Sequence, residues 1–141
     1  MRRALESHRR GCLSDPVVVF PDEQTAASMS VLDQLQSGVQ AVVPAFWAVE
    51  VLNSLLVGER KGRIAPEQTA AFLDALKILN PALDYATLEQ VEGPVQIICR
   101  DHRLTPYDAL YIELAHRSGC PLATLDQAQR DAATALGVQC L

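Results

Sequence analysis

The chain has 141 residues, a formal charge of −5 and an apolar fraction of 49% with only 5% aromatic residues. That length suits one core, which must be built from Ala, Leu, Val and Ile, and the apolar content excludes a disordered chain. The acidic balance excludes a protein that coats nucleic acid through a broad basic face, but it suits a site that gathers carboxylates.

No uninterrupted apolar run reaches the roughly 18 residues of a membrane span. The basic start, residues 1–10, leads into no signal-length apolar stretch, so a cytoplasmic protein with no membrane partner is expected. The four cysteines, Cys12, Cys99, Cys120 and Cys140, form no Cys-x-x-Cys pair and have no His at ligand spacing. Free thiols are therefore expected rather than zinc or a redox motif.

In chain order, residues 17–20 are a continuous apolar run between Pro16 and Pro21 and predict a buried first strand. Residues 22–37 show helical spacing through Ala27, Val31, Leu32 and Leu35, and residues 39–43 predict a second strand. Pro44 opens a predicted helix to about Gly62, apolar nearly all round at its start and so expected to be deeply packed. Pro66 opens the next, with Phe72, Leu73, Leu76 and Leu79 as its inward stripe and Asn80-Pro81 as its stop.

A helical stretch over 87–103 is interrupted by Gly93-Pro94, which predicts a kink or a late start. Thr105-Pro106 begins a helix that Ser118-Gly119 ends, with Glu113 and Arg117 expected as a surface pair. Residues 121–125 predict a strand, 126–136 a helix and 138–141 a last strand. Strands separated by helices imply an α/β fold with a mainly parallel sheet covered on both faces.

In such a sheet ligands bind beyond the carboxyl ends of the strands. Asp126 directly follows a predicted strand, Asp108 lies in the first turn of its helix, and Glu50 projects from the first two turns of the helix after the second strand. Crowded carboxylates raise one another's pKa unless a cation sits among them, and oxygen-only ligands favour Mg²⁺ or Mn²⁺. With such an ion, hydrolysis of a phosphodiester is within reach.

Each acid also has a structural reading. Thr105 to Asp108 fits a capping box, Asp126 or Thr124 fits an N-cap, and Glu50 fits a partner to Lys or Arg. The clusters Arg60, Lys61, Arg63 and Arg100, His102, Arg103 read as helix ends, with phosphate contact as the alternative.

The stretches Val43-Pro44-Ala45 to Glu50-Val51-Leu52-Asn53, Leu104-Thr105 with Tyr107-Asp108-Ala109-Leu110-Tyr111, and Pro121-Leu122-Ala123-Thr124-Leu125-Asp126 resemble the motifs of the PIN-domain family, specifically the VapC ribonuclease toxins of type II toxin–antitoxin systems. The likeness spans residues 20–141. It implies a three-layer α/β/α Rossmann-like domain, here 16–141, preceded by an atypical segment 1–15. It also implies a Mg²⁺-dependent endoribonuclease, a homodimer, an RNA substrate and inhibition by a VapB-like antitoxin.

In this resemblance Glu50, Asp108 and Asp126 stand at the second, third and fourth acids and hold the metal, with Thr124 orienting a carboxylate or phosphate. Tyr107 and Tyr111 are expected to serve packing. The first acid falls to Asp15, which precedes the predicted strand instead of following it. Three explanations are open: a rearranged site that Asp15 still reaches, a missing ligand and an impaired nuclease, or a displaced start of the chain. The alternative function is accordingly a PIN-fold binding module that dimerises and binds an antitoxin-like partner or RNA. A receiver domain would need paired acids after the first strand and a late Lys, and the sequence has neither.

Overall fold

The computed structural model describes residues 11–13, 38 and 40–141. Among the described residues four short strands, β1 (Gly11–Leu13), β2 (Ala41–Pro44), β3 (Ala82–Asp84) and β4 (Leu122–Ala123), form one parallel sheet in the order β3-β2-β1-β4. Parallel pairing needs a crossover between strands, and described helices supply it from β2 to β3 and from β3 to β4. The described helices are α1 (Trp47–Arg60), α2 (Pro66–Leu79), a composite α3, α4 (Pro106–Ser118) and α5 (Gln127–Ala135). The mixed α/β architecture expected from the sequence is therefore present.

The strands differ from expectation in instructive ways. β1 lies within the segment set aside as atypical and pairs with β2 through Gly11–Ala41 and Cys12–Val42, and with β4 through Cys12–Leu122 and Leu13–Ala123. A boundary at residue 15 would thus cut off a strand of this sheet. The strand expected over 17–20, the helix over 22–37 and Asp15 lie outside the described residues.

β3 was not anticipated. It adds to the edge of β2 through Val42–Ala82, Val43–Leu83 and Pro44–Asp84, and the N–H of Ala45 continues the pairing to Asp84 O at 2.9 Å. Pro44, expected to open a helix, instead ends β2, and α1 begins at Trp47. The last strand, expected over 138–141, is reduced to a single parallel bridge between Leu122 and Cys140. Arg130 fastens this end by donating to the carbonyls of Thr124 (2.8 Å) and Leu141 (2.9 Å).

Helix ends follow local chemistry. Thr87 caps α3 with reciprocal bonds to Gln90, as a capping box should. α3 then runs as Leu88–Gln90, a π-helical stretch Val91–Val95 and Gln96–His102. Pro94 has no N–H to donate and its ring crowds the preceding turn, so the wider π turn accommodates it without a break. The interruption read from Gly93-Pro94 as a kink or a late start is this π-helical stretch within a continuous helix. Thr105 caps α4, and Gly119 leaves it at φ 62°, a conformation that costs a residue without Cβ little.

The core gathers Val43, Val51, Leu55, Ala109, Ile112, Leu122 and Ala133, all fully or nearly fully buried. α4 lies against β1, β2 and β4 and is the most buried helix of the described residues, with Ala109 and every residue from Tyr111 to Ala115 inside. α1 is less enclosed than its composition suggested: Trp47, Val51, Leu55 and Gly58 face inward, while Val49 is 69% exposed and Leu52 and Leu56 are also exposed. Apolar residues all round do not by themselves decide burial, because only one stripe of a surface helix meets the sheet.

The remaining local expectations divide. Phe72, Leu73 and Leu76 of α2 pack against the core as predicted. Cys99, Cys120 and Cys140 are free thiols. Arg60 and the pair Arg100 and His102 occupy last helical turns, and Lys61 and Arg103 the C-caps, in keeping with the helix-end reading. No described helix is long and apolar enough to cross a membrane.

Candidate active site

The strand order fixes where a site can form. From β1 the chain steps to β2 and then β3 on one side, whereas β4 lies on the other side of β1. Winding among the described strands therefore reverses at β1, and in open parallel sheets ligands bind at the carboxyl ends of the strands beside such a reversal. Glu50 is on the helix after β2, Asp126 follows β4, and Asp108 comes from the first turn of α4, which packs on β1, β2 and β4.

Asp108 is half-buried and held by two neutral donors. The Thr105 hydroxyl donates to its Oδ2 at 2.8 Å, and Gln129 Nε2 donates to its Oδ1 at 3.1 Å. The N–H of Asp108 in turn donates to Thr105 Oγ1 at 3.2 Å. The predicted capping box is thus altered: Asp108 returns its bond to the Thr105 hydroxyl, and its other oxygen reaches across to α5.

Glu50 faces Asp108 electrostatically, and the Tyr111 hydroxyl donates a hydrogen bond to its Oε2. Its carboxyl is held above the ordinary value, first because burial withdraws water and then because Asp108 repels a second negative charge; the Tyr111 bond works in the opposite direction. The expected Lys or Arg partner is replaced by a phenol. Tyr111, read as packing alone, has its ring edge-on to Phe46 at 5.7 Å and also supplies this bond. Tyr107 is exposed and meets the same Phe46 ring edge-on at 5.3 Å, so it contributes little to the core.

Asp126 is the N-cap of α5, accepting the Gln129 N–H at 2.8 Å, as its structural reading anticipated. Thr124 is buried, accepts the N–H of Asp126 at 3.0 Å and donates to Gln129 Oε1 at 2.7 Å. The spacing Asp126 to Gln129 is that of a capping box, yet Gln129 turns its side chain inward. It was missed in the sequence because a Gln at the third position of a helix reads as an ordinary polar cap residue.

Among the described residues no three of His, Cys, Asp and Glu come together closely enough to hold an ion. What the fold assembles is a carboxylate pair, Glu50 and Asp108, beside a hydrogen-bonded chain through Gln129 and Thr124 to Asp126. The donor set still fits a hard divalent cation. Mg²⁺ commonly takes one or two protein carboxylates and leaves its remaining positions to water and substrate phosphate, and both oxygens of Asp108 and Oε2 of Glu50 keep a lone pair beside the hydrogen bonds they accept.

The model of one family, the PIN domain, matches residues 17–135. The chain belongs to the PIN-domain family. It is similar to ribonuclease VapC3 of Pyrobaculum aerophilum, with 27% identity over 107 residues that cover 76% of this chain and 79% of that protein. A similar fold is seen in the crystal structure of PAE2754 from Pyrobaculum aerophilum, which aligns at a TM-score of 0.60 with 19% identity, over 92% of this chain and 98% of that one. PIN-domain nucleases generally use divalent metals, and Glu50 and Asp108 are carboxylates suited to one.

Proposed function

We propose that this PIN domain is a VapC-like endoribonuclease that hydrolyses RNA phosphodiester bonds with Mg²⁺, or Mn²⁺ in its place. The observation that carries the reading is the pair Glu50 and Asp108, two carboxylates without a basic partner among the described residues, at the edge where the winding of a parallel sheet reverses. Burial and mutual repulsion leave this pair short of positive charge, which a divalent cation relieves. Similarity to a protein named ribonuclease VapC3 supports RNA as the substrate.

In this reading Asp108 and Glu50 bind the cation, with Asp126 turning from its capping role to join them. Asp15 is the candidate for the first acid, since in the sequence it comes two positions after Leu13, the last residue of β1, a strand whose parallel neighbours lead to Glu50 and Asp126. When bound, the cation supplies Lewis-acid charge at the phosphate and favours the ionised form of an attacking water. Tyr111 steadies Glu50, Thr105 and Gln129 steady Asp108, and Thr124 supports the start of α5. A homodimer, a cytoplasmic location and inhibition by a VapB-like antitoxin complete the proposal.

A second reading is favoured by one observation: Asp126 is engaged as an N-cap and no third acid joins the pair among the described residues. In that case the domain is an impaired nuclease that binds RNA or an antitoxin-like protein. Cleavage of a labelled RNA separates the two. The nuclease requires Mg²⁺ or Mn²⁺, and Asp108→Asn lowers its rate by at least about a hundredfold, in line with the loss of a group acting on developing charge. RNA cleavage that persists with chelator and in folded Asp108→Asn sinks the assignment.

A further inference from the structure

We infer that Gln129 is a positioning residue for the carboxylate site, setting the orientation of Asp108 from α5. It rests on the proposed divalent-cation site. Gln129 is fully buried, and every polar atom of its side chain that could be left unpaired is directed at a residue of the site. Its Nε2 donates to Asp108 Oδ1 at 3.1 Å and its Oε1 accepts from Thr124 at 2.7 Å, while its backbone N–H donates to Asp126 Oδ1 at 2.8 Å.

The direction of the amide is dictated by its neighbours. A carboxylate can only accept, so the Nε2 end must face Asp108. The Thr124 hydroxyl already accepts the N–H of Asp126 at 3.0 Å, which leaves its proton for Gln129 Oε1. Donation therefore runs one way, from Asp126 N–H to Thr124, to Gln129, to Asp108. With Thr105 donating to the other oxygen of Asp108, the carboxylate is gripped on both sides and its plane is fixed. Each oxygen retains a lone pair for a cation, now in a defined direction.

A neutral amide suits this task better than a lysine. A cation at this position would compensate the charge of Asp108 and compete with a metal, whereas an amide orients the carboxylate and leaves its charge in place. Gln129 also links the helix carrying Asp126 to the helix carrying Asp108, so a shift of one is transmitted to the other.

Gln129→Met keeps the length and volume of the side chain and removes both of its hydrogen bonds, leaving the backbone bond to Asp126 intact. Isothermal titration with MgCl₂ of the whole protein, in wild type, Gln129→Met and Asp108→Asn, tests the assignment. Positioning predicts that Gln129→Met weakens Mg²⁺ binding by about tenfold or more, the range found when outer partners of metal ligands are removed, and that kcat falls more than KM changes. A folded Gln129→Met variant whose Mg²⁺ affinity stays within about twofold of wild type overturns it, because a merely structural amide lowers the melting temperature and leaves affinity alone. Should the variant not fold, the side-chain amide resonances of Gln129 in ¹⁵N-labelled wild type decide: they shift and saturate with Mg²⁺ if Gln129 supports the ligand, and stand still if it does not. Absence of Mg²⁺ binding by wild type overturns the cation reading itself and this assignment with it, an outcome distinct from binding that ignores Gln129.

Discussion

Helix α4 carries one carboxylate in its first turn and another near its middle, and their surroundings are opposite. In its first turn Asp108, with Glu50 beside it, is met among the described residues only by the neutral donors Thr105, Gln129 and Tyr111. Further along, Glu113 takes Nε of Arg117 at 2.9 Å, and Arg117 extends to Asp84 at the end of β3 at 2.7 Å. The Arg117 guanidinium is held still more firmly protonated than usual, chiefly by its bonds to Glu113. The expected surface pair is thus a tertiary clamp with Glu113 buried, tying α4 to the edge strand. Where the fold uses acids for cohesion it brings a cation of its own; where it leaves them uncompensated, the proposed site takes one from solution.

The largest effect expected from breaking this contrast is at the compensated carboxylate. Arg117→Met should lower unfolding stability by about 2 kcal/mol, short of the roughly 3–5 kcal/mol of fully buried pairs, because the Arg117 side chain is 37% exposed and Glu113 can gain some water. Urea denaturation measures this, and Mg²⁺ affinity should not change; a parallel loss of affinity would show that the two carboxylates are not independent.

A smaller, pH-dependent effect is expected at the uncompensated pair. Glu50 ionises less readily in the fold than its ordinary value of 4.5 allows, so the stability it contributes is complete below that pH and is lost as the pH rises through its raised value. Glu50→Gln has no such loss. In cation-free buffer the stability difference should swing toward the variant as pH climbs from 4.5, and added Mg²⁺ should favour wild type alone. A difference that stays flat with pH would refute the account of Glu50. The smallest effect belongs to Lys77 and Asp74, which are 77% and 71% exposed. Lys77→Met should cost less than about 0.5 kcal/mol by thermal unfolding, since solvent and salt screen such pairs.

How far the sequence could be read depended on whether a feature was local. The ends of α2, α4 and α5 were legible because Pro66, Thr105-Pro106 and Asp126 act on the backbone within a turn of themselves. The strand-end placement of Glu50 and Asp126 followed from the same local signals. β1 and β3 were not legible, since three residues give too short a pattern to show alternation, and both are strands because β2 offers them hydrogen bonds. Nor could spacing reveal that Arg117 reaches Asp84, that the Tyr111 hydroxyl meets Glu50, or that Gln129 is buried. Each is a contact between distant segments, and the residue types involved are equally at home in a solvated helix.

The order of strands also sets a sequence of events in time. β1, flanked by β2 and β4, is paired on one side by Cys12–Leu122 and Leu13–Ala123, residues far apart in the sequence. Such a contact closes a long loop and forms slowly compared with any helix. During synthesis α1 and α2 can take shape while the sheet edge at β1 and β4 does not yet exist, because β4 and the helix that brings Gln129 are made late. The proposed site is therefore assembled only after β4 and α5 have been made, later than α1 and α2, which delays its onset without any added device.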